Sequence, residues 1–565
     1  RAAPFLFLGR FATRPAVPTA QPYPPQTLHT TRSLAMPDAP THGIDPEVYR
    51  KRWWTLAVLC LSLLIIMVGN TSLNVALPSL SRDLGASNSE LQWLVDAYSL
   101  VFAGLLFAAG NLGDRYGRKG ILQIGLVLFG LSTSYAATMA ETAGQLIGAR
   151  VAMGAAAAMV MPATLSIITN VFPPSERARA VATWAGISGG GAAIGPLLSG
   201  FVLEHGGWND VFAVNIPFVV AALLLGALIV PRSRGEHHTP LDIPGALLSA
   251  VGLSAVVYAI IEGPVHGWLA ARTLGVGGLG CAVLAAFVWW ELRAEDPMLD
   301  VRLFRIGAFG TSSLILTMVF FALMGTFFSM SQMLQLVWEY TPLEAAVRLL
   351  PISAAMMVAA PQSARLAARY GKRRVVATGM WMIAAGIAVV ASVGVIENYP
   401  VLISGFVVMA FGMGLAMSPT TDLLMSTVPR DKAGMGSAMN DTTRELGGSL
   451  GVAIFGSLLA SHYTGGLAGV LDSVPEAVRP VVSSSLAGAL SVAEQAPGGR
   501  GAALADAARV AWVDGFGFSL LVAAVVVAVA GMVAWRFLPD AAADVAGPDL
   551  RGDDLPVELA EPPVL

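Results

Sequence analysis

Six ionisable residues fall inside long apolar runs: Asp96, Arg150, Asp422, Asp441, Arg444 and Glu445. Placing such a group at the centre of a bilayer costs about 2.5–3.5 kcal/mol even on a lenient insertion scale, so each needs a reason to be there. Asp441 and Glu445 are one helical turn apart and share a face, with Arg444 adjacent to it. Burial favours a protonated acid, and an arginine brought alongside favours the anion. A chain that alternates between those surroundings loads and releases a proton. Asp96 is the preferred coupling acid, with Arg150 as its partner. Other placements compete: Asp96 at an outer mouth, since its helix starts near Gln92; Asp441, Arg444 and Glu445 as a structural ion-pair cluster near an inner helix end; and Asp422, after Ser418-Pro419-Thr420-Thr421, beside an inner loop. Glu262 ends an apolar run and is read as interfacial.

The elements that carry these groups follow from composition. Of 565 residues, 55% are hydrophobic and 13% charged, against roughly a quarter charged in soluble chains, and the mean hydropathy is +0.67. This is a membrane protein. A net charge of -3 gives no reason to expect a nucleic-acid partner. Two cysteines, Cys60 and Cys281, each in an apolar run, exclude a disulfide framework and a thiolate metal site. A helix needs about 20 mostly apolar residues to cross, which yields about fourteen spans, near 54–77, 92–112, 120–140, 146–170, 180–203, 210–230, 243–262, 273–291, 308–333, 344–367, 374–395, 400–427, 435–461 and 512–537. Loops rich in Lys and Arg stay in the cytoplasm. Arg115/Arg118/Lys119, Arg177/Arg179, Arg232/Arg234, Arg293/Arg302/Arg305, Arg369/Lys372/Arg373/Arg374 and Arg430/Lys432 then all lie inside, leaving little but Arg82, Arg272 and Arg348 outside. Both termini are expected in the cytoplasm. Trp53, Trp54, Trp93, Trp208, Trp268, Trp338 and Trp512 fall at span ends, as interface anchors do.

The chain is built twice. GNLGDRYGRK (Gly110 to Lys119) and AARYGKR (Ala367 to Arg373) are one basic turn in matching apolar surroundings, the internal repeat from which many secondary transporters are made. The expected organisation is a leader over 1–53, with 1–35 read as an over-extended start; a six-helix half over 54–230; an inserted pair over 243–291; a second six-helix half over 308–537 with an outer loop at 462–511; and a polar tail over 538–565. The fold class is all-α and integral to the membrane.

These motifs resemble the major facilitator superfamily, in particular its fourteen-span drug:proton antiporters, over nearly everything from Arg50 to Arg536. Gly110, Gly113, Asp114, Arg115, Gly117, Arg118 and Lys119 match the loop 2–3 signature; Leu146, Arg150 and Gly154 the fourth-helix pattern, with Met153 where glutamine is usual; Gly191, Gly195, Pro196, Ser199 and Gly200 the fifth-helix antiporter signature; and Asn74-Val-Ala-Leu-Pro78 the end of the first-helix motif. One departure stands out. The family often places a carboxylate shortly before that last motif, where Gly69 and Asn70 stand here. The resemblance implies a latch between the halves at the loop 2–3 turn and a kinked fifth helix that seals the substrate path. Independently, the glycines permit close helix approach and a tight turn, Asp114 suits a helix N-terminus, and Pro196 removes a backbone donor.

The function expected is proton-coupled export, as a monomer, of lipophilic cations or other toxic compounds across a bacterial plasma membrane, with small molecules, protons and lipid as partners and no cofactor. Moving one charge through 100 mV is worth about 2.3 kcal/mol, roughly a fifty-fold gradient; one-for-one exchange of a proton for a monovalent cation forfeits it, and several buried acids restore it. The cavity lining is expected from Met318, Phe320, Phe321, Met324 and Phe327. An exporter dedicated to one endogenous antibiotic, siderophore or lipid fits the same sequence. A polytopic membrane enzyme is a distant alternative, since no P-loop or His/Cys metal spacing occurs and His237-His238 is an isolated pair.

Overall fold

The computed structural model describes residues 44–233, 242–295, 297–428, 433–496 and 499–539. Most of the leader and of the tail, Arg234, His237-His238, Arg430 and Lys432 lie outside these, and the end of the leader, expected to be disordered, instead forms the first turns of a helix that begins at Pro46. Among the described residues all regular structure is helical. The long helices are α1 Pro46–Asp83, α2 Asn88–Tyr116, α3 Arg118–Thr138, α4 Ala143–Val171, α5 Pro174–His205, α6 Trp208–Ile229, α7 Ile243–His266, α8 Ala271–Glu291, α9 Gly307–Val337, α10 Pro342–Tyr370, α11 Lys372–Ala391, α12 Tyr399–Ser426, α13 Ala433–Gly466 and α14 Gly499–Phe537. Thirteen are long and apolar enough to cross a membrane. Helix α5, at 32 residues, has the length to be a fourteenth.

The duplication is visible in how the helices start and stop. Helix α2 opens with a capping box, Ser87 with Glu90, and α10 opens with another, Thr341 with Glu344. Both end on a glycine that also starts the next helix, Gly117 at φ 114° and Gly371 at φ 88°. A side chain at either would be strained, so the Tyr-Gly step is fixed in both copies. Even the cations match: Arg115 lies 5.6 Å from the Tyr116 ring and Arg369 5.2 Å from that of Tyr370.

Packing repeats the same plan. In the first half α1 packs on α5, and α4 on α2 and α3; in the second α9 packs on α13, and α12 on α10 and α11. Across the halves α2 meets α13 and α5 meets α10. The face bearing the two Tyr-Gly turns is called the basic face below. Helix α7 lies over the α2–α13 seam: Gly104 is so near α7 that a Cβ there would sit 2.7 Å from that of Ala250, and Ser457 donates to the Ile260 carbonyl at 2.7 Å. Trp93 donates to Glu262 at 3.3 Å. Away from the basic face, the connection between α13 and α14 folds as short helices, Ala468–Leu471, Arg479–Ser484 and Leu486–Gln495. Tyr463 fastens it by donating to the Val482 and Ser485 carbonyls at 3.0 and 3.2 Å.

Candidate functional site

Two antiparallel helices from different halves, α2 and α13, bring the sequence-predicted acids together. Glycine makes the neighbouring approach possible: a Cβ on Gly154 would lie 2.4 Å from the Tyr98 carbonyl, so α4 presses directly on α2. Arg150, fully buried on α4, then reaches across. Its Nε donates to the Leu94 carbonyl at 2.9 Å, Nη1 to the Gly69 carbonyl at 3.2 Å and Nη2 to Asn70 Oδ1 at 3.1 Å, and its guanidinium carbon lies 4.4 Å from the Tyr98 ring centroid. The expected pairing of Arg150 with Asp96 is therefore corrected. Neutral acceptors, Asn70 among them, and an aromatic face occupy the guanidinium.

Asp96 is not at an outer mouth. It is fully buried between α2 and α13, and neither carboxyl oxygen has a donor in the protein among the described residues. It faces Ser449 of α13, whose hydroxyl lies near enough to act on the carboxyl while falling outside ordinary hydrogen-bond geometry. One step nearer the basic face, Glu445 faces Ser99 of α2 and acts electrostatically on Arg150. One turn further, Asp441 Oδ1 lies 3.7 Å from Arg444 Nη1 and accepts from Asn440 at 3.3 Å. On the far side of Asp96, Ser457 donates to Gln92 at 3.4 Å and Asn88 to the Gly456 carbonyl at 3.0 Å. The seam thus carries a file of polar groups, with acids at Asp441, Glu445 and Asp96 in order of depth from the basic face.

Asp422 does not belong to this file. Its side chain is 68% exposed and lies 2.5 Å from Lys372 Nζ, in the second basic turn. A helix-end position beside the loop explains this, and its assignment as a buried proton carrier is withdrawn. The expected apolar lining also divides. Phe320, Met324 and Phe327 share one partly exposed face of α9, and Arg444 sits 4.6 Å from the Phe320 ring centroid. Met318 and Phe321 instead border a separate apolar cavity of about 170 Å³ between α9, α13 and α14.

The residues of the first basic turn and of the fifth-helix motif hold helices together. In the first basic turn, Arg118 Nη1 donates to the Ser166 carbonyl at 3.2 Å and Lys119 Nζ to that of Ala227 at 2.7 Å, joining it to α4 and α6. A Cβ on Gly110 would meet Pro162 of α4 at 3.6 Å, and one on Gly113 would meet nothing within 4 Å. The Asp114 side chain lies outside the described residues. On α5, a Cβ on Gly191 would lie 2.8 Å from Met67 Cβ and one on Gly195 2.0 Å from Thr71 Oγ1. Ser72 donates to the Gly195 carbonyl at 3.0 Å and Ser199 returns a bond to that of Ser72 at 2.9 Å, around Pro196. Gly200 faces the other half, where a Cβ would be 2.8 Å from the Pro342 carbonyl oxygen of α10. Gly186 and Gly190, nearer the basic face, have nothing within 4 Å of a Cβ. Gly200 thus marks where α5 closes against α10, away from the basic face.

Tyr49 and Arg52 brace the start of α1 against Glu176 at the start of α5. Arg52 Nε lies 2.7 Å from Glu176 Oε2, and its hydrogen bond holds the Glu176 carboxyl below the usual glutamate range. Sequence reasoning singled out Asn70 only as a departure and missed Ser99, Ser449 and Tyr98 altogether. A lone serine or tyrosine in an apolar run gives no signal until its neighbour across the seam is known.

A family model described as Major Facilitator Superfamily matches residues 59–452. The multidrug efflux pump LfrA of Mycolicibacterium smegmatis is 35% identical over 86% of this chain and 95% of its own length. The methyl viologen resistance protein SmvA of Salmonella typhimurium is 35% identical over 82% and 93%, and the tetracenomycin C resistance and export protein of Streptomyces glaucescens 29% identical over 89% and 95%. Among solved structures, a bacterial homolog to the human lysosomal transporter Spinster aligns at TM-score 0.61 and 17% identity, covering 88% of this chain and 98% of that one. The xylose transporter XylE from E. coli aligns at 0.54 and 14%, covering 87% and 97%. At these identities the two structures establish the fold.

Proposed function

The chain belongs to the Major Facilitator Superfamily, a transporter and not an enzyme, and from that premise we propose that it exports lipophilic, cationic toxic compounds in exchange for protons. The observation that carries this reading is the file on the α2–α13 seam: Asp96 buried without a donor, Glu445 one step nearer the basic face, and Arg150 beside them. A cation leaving an apolar wall of Phe320, Met324 and Phe327 gives way to protons on these acids, and the movement of the two halves exposes them to each side in turn. The basic face is the cytoplasmic one in this reading, with both termini there, the protein a monomer in the plasma membrane and no cofactor involved. Relatives named for multidrug efflux and methyl viologen resistance support the cargo class. A dedicated exporter of one natural product is favoured by the relative named for tetracenomycin C export.

The test is uptake of ethidium, methyl viologen and unrelated dyes into inverted vesicles, with and without a protonophore. Protonophore-sensitive accumulation of several unrelated cations is expected. Accumulation that ignores the protonophore would remove the proton coupling, and accumulation of a single compound would select the dedicated exporter.

A further inference from the structure

A second pair of acids lies away from the file, on the inserted hairpin. Asp242 caps the start of α7: its Oδ1 accepts from the Gly245 amide at 2.9 Å and from Trp290 Nε1 at 2.8 Å. Glu291 closes α8, is 2% exposed, and accepts through Oε2 from the Leu299 amide at 3.2 Å, in the connection that leads to α9. The two remaining oxygens, Asp242 Oδ2 and Glu291 Oε1, are buried without a hydrogen bond among the described residues, and they converge over Gly245. A Cβ on that glycine would lie 2.3 Å from the first and 2.7 Å from the second.

Among the described residues no cation pairs with either free oxygen. Phe107 of α2, Phe309 of α9, Leu424 of α12 and Met439 of α13 join Phe287 and Met298 in one apolar cluster here. Among the described residues the one charged group acting on the Glu291 carboxyl is Asp242. Arg293 lies 4.2 Å from the Trp289 ring centroid, Arg302 donates to the Leu292 carbonyl at 3.0 Å, and Asp300 accepts from the Arg302 amide at 3.1 Å. Two bare carboxylates brought together without a cation repel strongly, whereas one proton between them turns the repulsion into a hydrogen bond.

We propose that Asp242 and Glu291 form a proton-binding site, holding one proton between Oδ2 and Oε1, that clamps the inserted hairpin to the connection entering the second half. Loss of that proton drives the start of α7 from the end of α8 and loosens Leu299, at a junction where both halves meet the hairpin. The inference is independent of what the protein carries, so its test uses no transport readout.

The full-length protein in lipid nanodiscs is unfolded by heat between about pH 6 and 9, a range over which ordinary carboxyls do not titrate. A proton bound in the native state and released on unfolding makes stability fall as pH rises. The wild type should therefore show a falling unfolding temperature. Glu291→Gln should make that fall shallower, leaving the share that Asp96 and Glu445 contribute, because the amide supplies the N–H that the proton supplied. Asp242→Asn, which donates from the other side, should do the same, so one misfolding variant leaves the other to decide. Infrared spectra should show a protonated carboxyl C=O band that Glu291→Gln removes. A wild-type slope unchanged in both variants, or an unchanged band in Glu291→Gln, would overturn the site. Restoration of wild-type stability at high pH by sodium, absent in Glu291→Gln, would overturn it in favour of a metal cation.

Discussion

Arg150 Nη2 donates to Asn70 Oδ1 at 3.1 Å, so the buried guanidinium is met from α1 by a neutral amide rather than a carboxylate. Its positive charge is left to act on Glu445 of α13, in the other half of the molecule. In the proposed exchange, a conformational change that parts α2 from α13 would alter how strongly Arg150 favours the Glu445 anion and so link movement to proton release.

Replacing that amide should expose its role. Asn70→Leu strips one acceptor from a buried charged donor, a loss of about 1–3 kcal/mol, and should lower the thermal stability of the purified protein. Asn70→Asp should instead hold Arg150 in an ion pair and weaken its pull on Glu445. The check is the pH profile of efflux, which should move in Asn70→Asp and keep its position in Asn70→Leu.

The file separates carriers from bystanders. Asp96→Asn and Glu445→Gln preserve shape and remove the proton sites, so protonophore-sensitive efflux should fall at least about tenfold while membrane levels hold, a change of roughly 1.4 kcal/mol or more in the driven step. Asp441→Asn is expected to act in the same direction. Asp422→Asn breaks only an exposed pair with Lys372, worth about 0–1 kcal/mol, and should leave efflux within about twofold. Equal effects of Asp96→Asn and Asp422→Asn in one vesicle assay would contradict the assignment.

Gly200 should govern which side is sealed. Its missing Cβ would lie 2.8 Å from the Pro342 carbonyl oxygen, so Gly200→Leu wedges α5 from α10 away from the basic face. Overpacking of this kind typically costs about 1–3 kcal/mol, and it should push the population towards the form open on the side opposite the basic face. Cysteines placed along the α5–α10 seam should then label faster from that side and more slowly from the basic face. Unchanged labelling on both sides would argue against the seal.

Acid should release the α1–α5 brace well below the range in which export is measured. The folded Glu176 carboxyl is held low by Arg52, so its contribution is fully present above the ordinary glutamate pKa of about 4.3 and is lost as pH falls through the lower folded value. Thermal stability of Glu176→Gln should run parallel to wild type from about pH 5 upward, and the two curves should converge only below about pH 4. The pair is partly exposed, so the constant offset at neutral pH should be at most about 1 kcal/mol.

Much of this molecule was legible in the order of its residues. Apolar runs of spanning length fixed an all-helical membrane protein, because every backbone group in lipid must bond within its own helix. The paired Tyr-Gly turns at Gly117 and Gly371 revealed the duplication, because a positive φ admits little but glycine. Asp96, Glu445 and Arg150 drew attention because an ionisable group in an apolar run is costly wherever it packs. What the run could not say was which groups meet. Asp96 faces Ser449, and Glu445 faces Ser99, only because α2 and α13, far apart in the chain, lie antiparallel across the seam between the halves. The approach of α4 to α2 and α1 gave Arg150 to the Leu94 and Gly69 carbonyls and to Asn70 rather than to Asp96, and the end of α12 sent Asp422 out to Lys372. Burial, partner and countercharge are properties of a neighbourhood, and for these ionisable groups they were decided by tertiary packing alone.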